Sequence, residues 1–252
     1  MAVVFCAPND LVAYATPSQT TAPFTNMLRD EPARVWRSPG TTAYLTMQVT
    51  GTWDTFALVD NNLPASATIR LRAGPSVQSV DGSTAPVDVT FPAWTGTAPL
   101  NRATSFNLLN APVSHPYVRL DISSSGNPDG FIQASRLVIG KRVETSGVNI
   151  GAERQHTDGS IVSEGAGYTT IQEYRRRLQW KVNIGPITAT AYYNDWDRFL
   201  YRVGKSRGFL FVEDTTAPYV QSETAFVRCQ AEAKSVNVSS DYAKLEMSLL
   251  QV

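Results

Sequence analysis

RVWRSPGTTAYLTMQVTGTWDTFALVDNNLPASATIRLRAG, residues 34–74, is the stretch from which the rest of the chain is read. Leu45, Met47 and Val49 share one side of an extended backbone and Tyr44, Thr46 and Gln48 the other. That period of two is what a half-buried strand requires. Residues 55–59 (TFALV) form a short unbroken apolar run suited to a buried strand. Asp60-Asn61-Asn62-Leu63-Pro64 then interrupts the run, because Asn and Asp tolerate turn backbones and Pro removes a donor. A third strand sets Ala67, Ile69 and Leu71 against Thr68, Arg70 and Arg72, and Gly74-Pro75 closes it. Three such strands need a second layer to bury their apolar side. No catalytic motif lies among them.

Outward from this unit the pattern continues. Residues 3–6 and 11–15 read as short strands around the Pro8-Asn9-Asp10 turn. Residues 74–98 are rich in Pro, Ser, Gly and Thr and read as surface loop with one strand at 87–91. Residues 117–122 alternate, with Val118, Leu120 and Ile122 inward; SSSGNPDG (123–130) is a tight-turn cluster, and residues 131–139 return as a strand. At least six strands and no helix over the first ~145 residues predict an antiparallel sandwich.

Four features occur in this order: Trp36-Arg37-Ser38, TWDTFALVDNNL (52–63), ATIRLRAG (67–74), and YVRLDI…NPDG…ASRLVIGK ending at Lys141. Together they resemble the galactose-binding-like (discoidin-type) jelly-roll β-sandwich found in tail proteins of bacteriophages, over roughly residues 30–142. Some sandwiches of that family hold calcium, so the resemblance raises Asp129 of the NPDG turn as a ligand; an ordinary turn is the expectation, with no metal and no cofactor.

Residues 143–167 carry five glycines and few apolar side chains and read as a linker between two domains, 1–145 and 146–252, with residues 1–30 left open between them. Residues 171–184 (IQEYRRRLQWKVNI) read as one long strand: Tyr174, Leu178, Trp180, Val182 and Ile184 on one face, Glu173, Arg175, Arg177, Gln179, Lys181 and Asn183 on the other, and Gly185-Pro186 as its end. Arg176 is the one charge on the apolar parity. Between 191 and 203 the period switches: Tyr192, Trp196, Phe199 and Val203 form the stripe of an amphipathic helix, which Gly204 stops. A short strand at 208–213 and two long alternating strands, 224–236 and 242–252, complete a β-barrel or sandwich with one helix. On the first of these, Phe226, Arg228, Gln230, Glu232 and Lys234 oppose a small apolar face that includes Cys229. This order of elements resembles the β-barrel-plus-helix domain of phage distal tail and tail-tube proteins. The resemblance implies a ring of six copies in the tail of a virion, assembled in the host cytoplasm and joined to other tail proteins.

With zero formal net charge and 17% charged residues, the chain lacks the basic field that sequence-specific nucleic-acid binding needs. No window approaches the ~18 apolar residues of a membrane span, and the start, MAVVFCAPNDLVAYATP, lacks a basic leader. Cys6 and Cys229 match no metal or redox spacing. His115 and His156 stand apart from any Cys, Asp or Glu grouping, and no nucleophile elbow, P-loop or dinucleotide fingerprint occurs. No catalytic residue is therefore assigned.

Three functions remain. The leading expectation is a distal tail or baseplate ring protein, with the mixed charges Glu173, Arg175, Arg177, Lys181, Glu232 and Lys234 on a lumen or subunit interface. The alternative is a carbohydrate-binding module for a host-surface glycan, with Trp94, between Pro92 and Pro99, as the stacking aromatic; Trp36 and Trp53 are expected in the core. The third, a polysaccharide hydrolase, would need two carboxylates across a groove from among Asp54, Asp60, Asp81 and Asp121.

Overall fold

The computed structural model describes residues 2–31, 33–99, 102–146, 152–237 and 239–252. In chain order its first strands are β1 (Val3–Cys6), β2 (Leu11–Ala15), β3 (Trp36–Arg37), β4 (Thr42–Val49), β5 (Trp53–Asn61) and β6 (Thr68–Gly74). A short helix α1 (Val77–Asp81) precedes β7 (Val87–Pro92), β8 (Ala103–Val113), β9 (Tyr117–Ser123), β10 (Gln133–Ala134), β11 (Arg136–Gly140) and β12 (Arg142–Thr145). Then come β13 (Glu153–Thr157), β14 (Ile161–Gly165), β15 (Tyr168–Gln172) and β16 (Arg177–Thr188). A helical segment follows, made of α2 (Ala189–Ala191), a π turn (Tyr192–Trp196) and α3 (Asp197–Val203). Last are β17 (Phe209–Val212), β18 (Thr224–Cys229), β19 (Lys234–Asn237) and β20 (Tyr242–Gln251). The chain is thus mainly β and its ladders are antiparallel, as its alternation predicts. Two units partition it: Met1–Gly147 with Gly208–Phe226, and Val148–Arg207 with Val227–Val252.

The first unit holds the sandwich. One sheet runs β2-β4-β9-β6-β7 and the other β11-β5-β8. The three strands of residues 34–74 therefore do not lie side by side. β4 and β6 flank β9, while β5 crosses to the opposite sheet, where both of its faces are buried. That is why β5 is an apolar run and its neighbours alternate. Leu45, Met47, Val49, Ile69, Leu71, Val118, Leu120 and Ile122 meet Phe56, Leu58, Leu137 and Ile139 in one core, with Trp36 and Trp53 buried in it as expected.

Polar parity does not always mean exposure. Arg72 is buried: it bonds Asp121 through Nη2 at 2.5 Å and gives Nη1 to the carbonyls of Asp81 and Gly82 at the end of α1. Helix α1 lies where a loop was expected, because Ser76 and Ser79 cap its first turn reciprocally. Asp54, expected at the surface, is buried and accepts from the Arg142 amide at 2.9 Å.

β1 pairs with β12 on one edge and β17 on the other. Cys6 sits opposite Arg142, so the chain enters and leaves the sandwich through adjacent strands. Residues 1–30, left open by the sequence, serve this unit: β2 continues its larger sheet, and Asp30 accepts from the Gly208 amide at 2.8 Å while pairing with Arg136 at 2.9 Å.

In the second unit β16 lies between β13 and β20, burying Trp180, Val182 and Ile184 opposite Leu249, Met247 and Leu245. Four expectations are corrected here. First, residues 143–167 are not a structureless linker; they supply β12, β13 and β14, with 147–151 outside the described residues. Second, residues 171–184 are not one strand. β15 ends at Gln172, residues 173–176 cross over, and Tyr174 is exposed. Local bonds hold the crossover: Arg176 pairs with Asp158 at 3.0 Å, which accounts for the charge on the apolar parity, and the Tyr174 amide donates to Ser160 Oγ at 3.0 Å. Third, Gly185-Pro186 does not end β16. The ladder shifts register between Ile184 and Ile187 and runs on to Thr188, a bulge that Gly185 permits at φ 144 with the Ala243 carbonyl too close for a Cβ. The expected 224–236 strand is likewise two, β18 and β19, both on the same edge of β20. The helical stripe holds: Trp196, Phe199 and Val203 are buried, and Gly204 terminates α3 at φ 49.

The crossover makes a pH prediction. Hydrogen bonds from the Ser160 side chain and amide, and then the Arg176 guanidinium, hold the Asp158 carboxyl down at about 2, against an ordinary 3.8. A lowered carboxylate pKa stabilises above the unfolded value and loses that contribution as pH falls through the folded one. The crossover should therefore loosen as pH drops from about 3.8 to about 2. Amide exchange at Tyr174 should accelerate across that interval beyond the intrinsic trend; a flat protection factor would refute the clip.

Candidate functional site

Four segments of the first unit converge at one end of the sandwich. Asp60, the penultimate residue of β5, lies in the left-handed region at φ 50 just before the turn. Asn62 then organises the turn: its Nδ2 donates to Asp129 Oδ2 at 2.8 Å and to the Phe131 carbonyl at 2.9 Å, and its Oδ1 accepts from the Gln133 amide at 2.7 Å. Asn127, buried, donates to the carbonyls of Asn62 and Phe131 at 3.2 and 3.0 Å. Arg37, from β3, bonds Gln133 Oε1 at 2.7 Å and lays its guanidinium over the Phe131 ring at 5.0 Å. Trp94 arrives on the loop after β7 and donates Nε1 to the Leu63 carbonyl at 2.8 Å.

Trp94 is therefore half-buried, one part packed against the core and its indole N–H satisfied within the protein. What this end presents is a fixed indole, a Phe131 ring capped by Arg37, and the exposed carboxylate of Asp129. Aromatic rings held beside planar hydrogen-bonding groups suit a ligand with both C–H faces and hydroxyls. The sequence marked Trp94 and Asp129 and missed Asn62, Phe131 and the stacking role of Arg37, because their meeting depends on pairs 65 to 96 residues apart.

In the NPDG turn Asp129 accepts from Asn62 and its own amide donates to Asn127 Oδ1 at 3.1 Å; among the described residues no three His, Cys, Asp or Glu gather as a group. Three of the four carboxylates considered for a hydrolase lie in ion pairs. Asp121 serves Arg72 and Arg119, Asp81 serves Arg119, and Asp54 faces Arg142 at 3.7 Å.

The charges marked in the second unit do not form one surface row. Lys181 on β16 pairs with Glu153 on β13 at 2.8 Å. Lys234 sits opposite Glu246 in the β19–β20 ladder. Glu232 lies in the break between β18 and β19 and reaches Lys205 at 3.5 Å. Glu173 and Arg175 belong to the crossover, and Arg177 starts β16, opposite Thr157. An uncharged row unmarked in the sequence runs across the same sheet: Gln155 and Thr157 donate to Gln179 Oε1, and Gln179 donates to Gln230 at 2.8 Å.

No protein-family model and no curated protein matches the chain. Among solved structures it is similar to a CBM32 module of a family 31 glycoside hydrolase from Clostridium perfringens, at 13% identity and a TM-score of 0.40, covering 52% of this chain and 90% of that one. It is also similar to the family 32 CBM of C. perfringens NanJ in complex with galactose, at 12% identity and 0.38, covering 56% and 99%. A third is the family 32 carbohydrate-binding module of Streptococcus pneumoniae EndoD, at 10% identity and 0.37, covering 54% and 99%. Identities and scores this low do not carry a ligand across.

Proposed function

We propose that the first unit is a non-catalytic saccharide-binding module that uses the loop end around Trp94. The observation that carries this reading is the convergence there of the fixed Trp94 indole, the Arg37–Phe131 stack and the Asp129 carboxylate. Galactose, present in one of the similar structures, is the first probe, followed by a glycan array. Binding should perturb tryptophan fluorescence, and Trp94→Ala should weaken it about tenfold or more, the value of one aromatic contact near 1.4 kcal/mol. Equal binding by Trp94→Ala, or no saccharide bound by the parent, would leave the sandwich as architecture alone.

A second reading is favoured by one observation in the second unit. Among the described residues the β14–β15 hairpin ladders with no other strand, and it exposes Ile161, Val162, Tyr168 and Ile171. An isolated two-stranded hairpin is marginal in water, and clustered exposed apolar side chains mark contact surfaces. On this reading the protein is a ring-forming structural subunit of a phage tail, with the hairpin reaching a neighbouring copy and the sandwich displayed for adhesion. The two readings are compatible.

A further inference from the structure

We propose that the outer face of the β2-β4-β9-β6-β7 sheet is a second saccharide site, matched to neutral sugars and separate from the loop end. Three tyrosines lie on adjacent strands of this face. Tyr14 on β2 meets Tyr117 on β9 edge to face at 5.5 Å and reaches Gln48 on β4 at 3.5 Å. Tyr44 on β4 carries the Arg119 guanidinium over its ring at 4.3 Å. Tyr14 is 52% exposed and Tyr44 37%, so both rings present area to solvent.

The polar groups beside the rings are held rigidly. Arg119 bonds Asp81 at 2.7 Å and Asp121 at 2.9 Å; Arg72 bonds Asp121 at 2.5 Å; Arg70 grips Asp88 through two bonds of 2.7 and 2.5 Å. Three guanidiniums thus face three carboxylates, and the patch has no net charge. A phosphate, a uronate or a nucleic-acid backbone would find every cation already neutralised, and like-charge repulsion from the aspartates. A neutral sugar needs what is present: ring faces for its C–H groups, with fixed planar donors and acceptors for paired hydroxyls.

A second observation lies at the centre of the patch. Thr46 stands between Tyr44 and Gln48 on β4, opposite Arg119 on β9 and Ala15 on β2. It is 1% exposed, so it forms the closed floor between the tyrosines, and the rings and charged groups around it make the surface a ligand would meet. The tyrosines come from strands that are neighbours only through long-range pairing, so no local motif announces the patch.

Calorimetric titration of the full chain with cellotetraose, maltotetraose, galactotetraose and the anionic tetragalacturonate tests the proposal. At least one neutral tetramer should bind. With the loop end disabled by Trp94→Ala in every chain titrated, Tyr44→Ala and Tyr14→Ala should each weaken the remaining binding about tenfold and Tyr44→Phe should retain it. Tyr14→Ala alters an exposed side chain, so its result stands even if Tyr44→Ala folds poorly. Absence of binding to all three neutral tetramers at millimolar concentration overturns the proposal. Tighter binding of tetragalacturonate, or loss of binding through Trp94→Ala alone, does so too; the last would assign the sugar to the loop end.

Discussion

Trp36→Ala is expected to cost the sandwich about 3–5 kcal/mol, the range for deleting a fully buried large aromatic. Trp36 has no exposed surface, and its Nε1 donates to Ser18 Oγ at 2.9 Å. β3 contributes only two residues to its ladder with β10, so little backbone pairing is available to hold the segment once the indole is gone. Alanine leaves a void among Phe24, Met27 and the strand side chains of the same core, and removes the donor that Ser18 accepts from. Against a typical total of about 5–15 kcal/mol, such a loss would leave much of the chain unfolded at 37 °C. Trp36→Phe keeps most of the ring and forfeits only the hydrogen bond and part of the volume, so it should cost about half as much or less. Urea unfolding followed by circular dichroism gives both values; a loss below about 1 kcal/mol for the alanine variant would contradict the packing described.

The second large effect concerns assembly. Val162 and Ile171 face each other across the β14–β15 ladder, 58% and 59% exposed. Fully burying an exposed side chain of this kind is worth about 1.5–3 kcal/mol, and a little over half of each remains to be covered, so the pair contributes about 2–3.5 kcal/mol to any contact that covers it. Val162→Ser with Ile171→Ser should therefore weaken self-association by about thirtyfold to a few hundredfold. Light scattering after size exclusion should show a large species for the parent and a smaller one for the variant. The variant should unfold at the parent's temperature, because both side chains lie outside any core of their own unit. A parent that stays monomeric at high concentration would remove the ring reading.

Where the sequence could be read, it was read through sidedness. Leu45, Met47 and Val49, or Val118, Leu120 and Ile122, each have one buried and one wet face, and alternation reports that directly. β14 and β15 have no buried face at all, so nothing in their periodicity separates them from a glycine-rich linker. The join of β15 to β16 was hidden for the opposite reason. Alternation runs unbroken through residues 173–176, and the break comes from a carboxylate on Asp158 that periodicity does not weigh. Arg72 sits on polar parity yet is buried because its acceptor, Asp121, comes 49 residues later. Both candidate sites share that property: their members meet through pairing between distant strands, which one sequence does not display.

The pairing of Cys6 with Arg142 has an evolutionary consequence. A segment whose two ends depart from neighbouring, hydrogen-bonded positions is a cassette: its host can lose it, or trade it for another, with a tight hairpin closing the gap and no register disturbed. Selection can then exchange the residues between Cys6 and Arg142 without altering the ladder that β1 and β12 form.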